Sequence, residues 1–452
     1  MIGRSLTERV VAGVAFLATV SVLAYLTATG RPARPERTCP PHLQTGLRVA
    51  AGDDISASTY RRELFDEWNA RHRPRVTLIE VGETTDDERK EMISAAQAGR
   101  CAYDVLIMDV AWVPEFARNG FLQETPLTEE QRAAFVPQAL RTGEVDGTQY
   151  AVPFGTNIPV LYYKSDLPYP RDLDEFLSLA RRHGYAAQLD DYEGGTVNLL
   201  EAMLSGGARL MDGDRVVLDE PGDAARAEEA LRRWSEMTRA LLERRPGHAN
   251  LQERTSMREF RRADIGYLRN WAFSFHELAA DPALHTAGGA LRFEVGRFPT
   301  RGVLGGFNLA IAKDSPHAEE AMELIRFLTG KEHQSRLFAC GGYPPVLRAV
   351  YDEFRTRPTA CEKRSEEDPR GAIGPEDLRT LAAAVHAGLQ NTVTRPASPS
   401  YPVFSEVFRA CVRDAVLEGP DAPPINYPAF AAALRDALDG RPADRNACAG
   451  SA

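Results

Sequence analysis

Apolar and polar positions along this chain alternate between two periods, one suited to strands and one to helices. Leu47-Arg48-Val49-Ala50-Ala51-Gly52 is a short apolar run that ends at Asp53 and Asp54, and it reads as a first strand. Tyr60, Leu64, Phe65 and Trp68 then recur at helical spacing, marking one buried face. Val76-Thr77-Leu78-Ile79-Glu80-Val81 is a second strand, a helix over residues 86 to 99 follows, and Val105-Leu106-Ile107-Met108 runs out at Asp109. A continuous apolar run of this kind describes a strand buried on both faces, as in a parallel sheet. The β-α-β-α-β order is the start of an open, doubly wound α/β sheet. Ligands of such sheets sit beyond the carboxyl ends of the strands, which makes Asp109 and the nearby Trp112 candidate site residues. A surface Asp in a βα turn is the plainer reading.

Further along, Tyr150-Ala151-Val152-Pro153 and Val160-Leu161-Tyr162-Tyr163 bracket Phe154 to Pro159. Gly155 and Pro159 there predict a broken strand, where the chain leaves one lobe for another. Helical patterns dominate to about residue 262, apart from the Asp212-Gly213-Asp214 turn. Ala263 to Leu268 reads as a strand running into Arg269-Asn270-Trp271, and Gly305 to Ile311 as another. The next helix has Ser315 as cap, Pro316 in its first turn, Glu319 and Glu320 near the positive end and Gly330 as stop. Residues 362 to 376 predict a solvated loop, and helices over about 376–390, 401–418 and 428–439 close the chain.

At 452 residues the chain exceeds one compact core and points to two lobes. The net charge of −10 argues against nucleic acid or an anionic membrane surface as the main partner. The six cysteines show no zinc-ribbon spacing, and their even number suits disulfides outside the cytoplasm. Of about 15 possible pairings, neighbourhood favours Cys39–Cys101, Cys340–Cys361 and Cys411–Cys448; free buried thiols are the other reading. No charge interrupts Val10 to Gly30, a run long enough to cross a bilayer, for which about 20 apolar residues suffice. It is also longer than a usual signal-peptide core. Residues 1–30 thus read as an N-terminal transmembrane anchor or signal segment, and the proline-rich 31–46 as a stiff linker. The remainder is expected at the extracellular face of the cell membrane, or secreted if the segment is cleaved. Glu36-Arg37-Thr38 before Cys39 is unlike a lipidation signal.

Four stretches, in order and spacing, carry a resemblance to a known family. They are Tyr103 to Asp109; Val145 to Pro153 with Leu161-Tyr162-Tyr163-Lys164; Gly305 to Ala312 with its helix ending Phe327-Leu328; and Thr394 to Tyr401. Together they cover most of residues 47 to 440, and the chain resembles the extracellular solute-binding proteins of ABC importers, in the trehalose/maltose-binding branch. The resemblance implies a two-lobed α/β fold, the periplasmic-binding-protein type II fold, with an interlobe cleft and hinge. Residues 47–156 and 303–340 would form the first lobe, and 157–302 and 341–452 the second with the C-terminal helices. It also implies a small carbohydrate ligand (an oligo- or disaccharide), importer permease subunits as partners, no cofactor, no metal and no catalysis.

On this resemblance Asp53 or Asp54 and Asp109 accept hydrogen bonds from sugar hydroxyls, Trp271 stacks on a sugar ring, and Arg395 reaches the cleft as a donor. Asn157, Phe307 and Tyr343 join Trp112 in completing the candidate set. Asn157 stands where the family commonly has Asp, and Phe307 where it has Trp, so the sugar stays open and a different ligand is admissible. Plainer roles exist for each residue. Trp271 and Phe307 fit a core, Asp53 and Asp54 a helix cap, Arg395 a brace for a proline-rich segment, and Tyr343 a rigid turn. A carboxylate pair would also serve a glycosidase, but no G-x-S-x-G elbow, glycine-rich phosphate loop or zinc-protease helix occurs. The remaining alternative is a membrane-anchored sensor or docking domain on the same fold, with altered or lost sugar binding.

Overall fold

A computed structural model describes residues 39, 45–82, 84–99, 101–361, 373–441 and 448. The anchor or signal segment 1–30, most of the 31–46 linker and most of the 362–376 loop lie outside the described residues. Among the described residues no helix is long and apolar enough to cross a membrane.

The chain opens with β1 (Leu47–Ala51), α1 (Tyr60–Arg71), β2 (Val76–Glu80), α2 (Thr85–Ala98) and β3 (Val105–Asp109). β1 sits between β2 and β3 and pairs with both in parallel, as the doubly wound reading requires. Val105 to Met108 are buried and Asp109 is partly exposed, so the apolar run stops where the strand leaves the core. α2 has the start signals of a stable helix. The Thr84 hydroxyl accepts from the Asp87 N–H, and Asp86, Asp87 and Glu88 face the positive end of the helix.

The break expected between residues 154 and 159 is narrower than predicted. β4 (Ala151–Asn157) continues past Gly155, and only Ile158 separates it from β5 (Pro159–Lys164). The distortion lies in β4 itself: Phe307 and Asn308 of the facing strand, Gly302–Ile311, pair with Gly155 and Pro153, which leaves Phe154 as the extra residue of a bulge. Gly306 of the facing strand has φ +130, and a Cβ on it would lie 2.2 Å from the Gly155 carbonyl oxygen, so glycine is required for the two backbones to meet.

The second lobe follows with β6 (Tyr185–Ala186), α3 (Glu193–Leu204), α4 (Glu253–Phe260), β7 (Tyr267–Trp271), α5 (Ser274–Ala279) and β8 (Phe293–Arg297). Its sheet has the order β8-β5-β7-β6. The strand expected from residue 263 begins only at Tyr267, because Asp264 is exposed in an ion pair with Arg245 while Tyr267 to Trp271 are all buried. The chain then returns through β9 (Gly302–Ile311), antiparallel to both β3 and β4, and later adds β10 (Thr392–Thr394), giving β10-β9-β3-β1-β2.

The predicted cap at Ser315 is displaced. The helix starts at Ala318, and the Ser315 hydroxyl donates to Asp104 at 2.6 Å while accepting from the His317 N–H. Gly330 does more than stop that helix, since it is the cap position of α6 (Lys331–Gly341). Helices Pro375–Leu389, α7 (Tyr401–Leu417) and Tyr427–Leu438 fall within a residue of expectation. All three neighbourhood disulfides, Cys39–Cys101, Cys340–Cys361 and Cys411–Cys448, are formed.

Candidate functional site

Between the two sheets lies a cavity of about 330 Å³, at the small end of the range for ligand pockets, roughly 300–1,000 Å³. Six of the nine candidate residues line it: Asp53, Asp109, Asn157, Trp271, Phe307 and Arg395. Asp109 comes from the end of β3 in one sheet and Trp271 from the end of β7 in the other, so an acidic wall and an indole share one space.

Asp54, Trp112 and Tyr343 are placed elsewhere. Asp54 Oδ1 accepts from the Ser56 N–H (3.0 Å) and hydroxyl (2.5 Å), and Oδ2 from the Arg62 N–H (3.2 Å). These bonds tie the turn before α1, so the capping role prevails there. Trp112 is 3% exposed and sits in the apolar core at the start of helix Val113–Arg118. Tyr343 is buried behind the wall, its ring centre 5.9 Å from Phe307 and 5.8 Å from Phe154. It supports an aromatic lining residue instead of reaching the cavity.

Arg395 is more than a free donor. Its Nη2 donates to Asp109 Oδ1 at 2.6 Å and its Nη1 to Glu193 Oε1 at 2.8 Å. Glu193, at the start of α3, also accepts from the Tyr401 hydroxyl at 2.5 Å and the Ser405 hydroxyl at 2.6 Å, both on α7. The guanidinium therefore joins a strand end of the first lobe to a helix of the second. Burial raises the Asp109 carboxyl above its ordinary range, and the Arg395 charge opposes that shift. Arg395 Nε and Asn157 Oδ1 are buried with no hydrogen-bond partner, which leaves one donor and one acceptor unused on residues of the cavity wall.

Trp271 is held from two sides. The Arg269 guanidinium carbon lies 3.8 Å from the centre of its ring, and its Nε1 donates to Glu253 Oε1 at 3.2 Å. Arg269 is fixed in turn by Glu201, at 3.0 and 2.8 Å, and by Gln188 at 2.9 Å. Sequence reasoning passed over Arg269, although residues two apart on a strand share a face, and an Arg two before a Trp is a signal for such stacking.

Other lining residues had weaker signals. Glu193 and Glu253 open helices, where an acid is usually explained by the helix dipole. Glu88 lies in the first turn of α2 for the same apparent reason. Gly52 reveals its second role, since a Cβ at that position would fall 1.9 Å from Glu88 Oε1. Burial, helped by the charges of Asp109 and Asp53 and opposed by Arg61, pushes the Glu88 carboxyl up from 4.5 to about 8. The folded state then holds a proton that the unfolded chain has lost between those two values, so stability falls as pH rises through this window. Glu88→Gln should flatten that slope and exceed the parent in stability by on the order of 1–3 kcal/mol near pH 8. Urea unfolding near pH 5 and pH 8 checks this; identical pH slopes for the two proteins would refute it.

The sequence pattern of the bacterial extracellular solute-binding proteins matches residues 63–362. A curated relative from Deinococcus radiodurans, a probable ABC transporter-binding protein, is 24% identical over 312 residues, covering 64% of this chain and 73% of its own. Among solved structures, maltose-bound T. maritima MalE3 has a TM-score of 0.69 at 22% identity, covering 87% of this chain and 98% of its own. The GacH receptor of Streptomyces glaucescens, solved unliganded and with acarbose, has a TM-score of 0.67 at 18% identity, covering 88% and 99%. Likeness at these identities shows a shared two-lobed fold.

Proposed function

The chain belongs to the bacterial extracellular solute-binding proteins, and we propose that it is the receptor of an ABC sugar importer, holding an oligo- or disaccharide between its lobes. The observation that carries this reading is one cavity walled by Trp271 and Phe307 on its apolar sides and by Asp53, Asp109 and Asn157 as acceptors. Flat rings cover the C–H face of a sugar, and carboxylates take hydroxyl hydrogen bonds more strongly than neutral acceptors do. Maltose and acarbose, the ligands of the two structural neighbours, support a sugar. The three disulfides support an oxidising compartment outside the cytoplasm, and an anchor or signal at residues 1–30 would place the receptor beside its permease. The receptor itself performs no chemistry.

A thermal-shift panel of mono- and disaccharides identifies the ligand, since a sugar at 100 times its Kd stabilises the fold by about 2.7 kcal/mol. Trp271→Leu keeps an apolar side chain but removes the flat face, and should weaken binding by about tenfold in calorimetry. Unchanged affinity in that variant would remove the stacking assignment. A folded protein that no sugar stabilises would favour the sensor or docking alternative on the same fold.

A further inference from the structure

We propose that the cleft selects an aminated, positively charged sugar over its neutral counterpart, an inference that rests on the sugar-receptor reading and narrows it. The cavity wall carries six carboxyl groups against three guanidiniums, and one of the six, Glu88, holds a proton below about pH 8. Those guanidiniums do not offset the excess. Arg395 is shared between Asp109 and Glu193. Arg61 donates to the Gly52 carbonyl at 2.6 Å and lies 3.7 Å from Asp54, which is not on the wall. Arg254, with Arg261, acts on Glu277. Among the described residues the side chains of Asp53 and Glu88 receive no hydrogen bond, and Glu253 meets only neutral donors, the Trp271 indole and the Tyr192 hydroxyl. Asp53 and Glu253, one from each lobe, thus face the cavity without a paired cation among the described residues.

A neutral polyol can donate hydroxyl protons to these carboxylates but leaves their charge uncompensated, which is costly away from water. An ammonium supplies three donors and a charge together, and the rings of Trp271, Phe273 and Phe307 on the same wall attract cations. A metal ion does not fit, because among the described residues no three acidic, histidine or cysteine side chains converge closely enough to hold one. A bare polyamine has no ring to cover Trp271 and Phe307, whereas a sugar bearing an amine brings a flat ring face to them and an ammonium to the carboxylates. Glu88 fits the same picture. Facing Asp53, Asp109 and Arg61, it keeps its proton up to about pH 8, and an ammonium beside it would drive that proton off.

Calorimetry near pH 6.5 on the whole protein tests this with three matched β-1,4 disaccharides, built from glucosamine, glucose and N-acetylglucosamine. The glucosamine disaccharide should bind about tenfold or more tighter than the other two. Its binding enthalpy should also change with the ionisation enthalpy of the buffer, showing release of a proton. Glu88→Gln should abolish the proton release, and Glu253→Gln should cut the amine preference to about threefold or less. A glucose disaccharide bound as tightly as the aminated one overturns the charge inference and leaves the sugar reading standing. Binding of none of the three, nor of any sugar in the wider panel, overturns both.

Discussion

Arg395→Met should destabilise the protein by roughly 3–5 kcal/mol near pH 8 and by much less near pH 5. The guanidinium is 4% exposed and lies between Asp109, 14% exposed, and Glu193, 8% exposed. Removing it strands two carboxylates in a poorly solvated place, and the cost is that of an uncompensated charge more than of two lost hydrogen bonds. Burial already lifts the Asp109 carboxyl with Arg395 present, so without Arg395 it rises further. A group whose folded pKa lies above its unfolded value holds the folded state at low pH and loses that hold as pH rises. The penalty in the variant must therefore grow with pH. Denaturant unfolding near pH 5 and pH 8 checks it, and an equal loss at both would show that the two carboxylates find water or another partner. Because the bridge joins the end of β3 to the start of α3, the same variant should also close less readily on a ligand.

The features legible in the sequence were those in which one residue's chemistry is settled by its near neighbours. Val105 to Met108 reads as a buried strand because continuous apolar residues admit few alternatives, and the emergence of Asp109 follows from where the run stops. The disulfides were legible because each cysteine has one nearest companion along the chain. Adjacent Asp53 and Asp54 could not be told apart, since their roles depend on how the backbone turns after β1, and only the structure shows Asp54 folded back on Ser56 and Arg62. Trp112 misled for a related reason. A large aromatic near a strand end suits a ligand and a core equally, and here the core took it. The acids Glu88, Glu193 and Glu253 stayed hidden because a helix start gives each a sufficient explanation. Their shared orientation toward one cavity comes from three separate elements meeting in space, and no local pattern encodes that.

A similar loss, again roughly 3–5 kcal/mol, is expected for Arg269→Met, but with a different signature. Arg269 and Glu201 are 0% and 2% exposed, so removing the cation leaves a carboxylate sealed in the second lobe. Glu201 also accepts from the Val303 N–H at 3.1 Å, at the start of β9, so the strain reaches the segment on which the chain returns between lobes. Arg269 further backs the indole of Trp271 at 3.8 Å. The single variant should therefore lose stability and ligand affinity together, and the two losses need separating. Arg269→Met combined with Glu201→Met removes both charges, and such paired replacement of a buried ion pair commonly costs little or even stabilises. Stability of the double variant should return to within about 1 kcal/mol of the parent, as read by denaturant unfolding, while affinity stays several-fold weaker because the support of the indole is still missing. If affinity recovers along with stability, the guanidinium serves the fold alone, and Trp271 holds its orientation through Glu253 and the strand backbone.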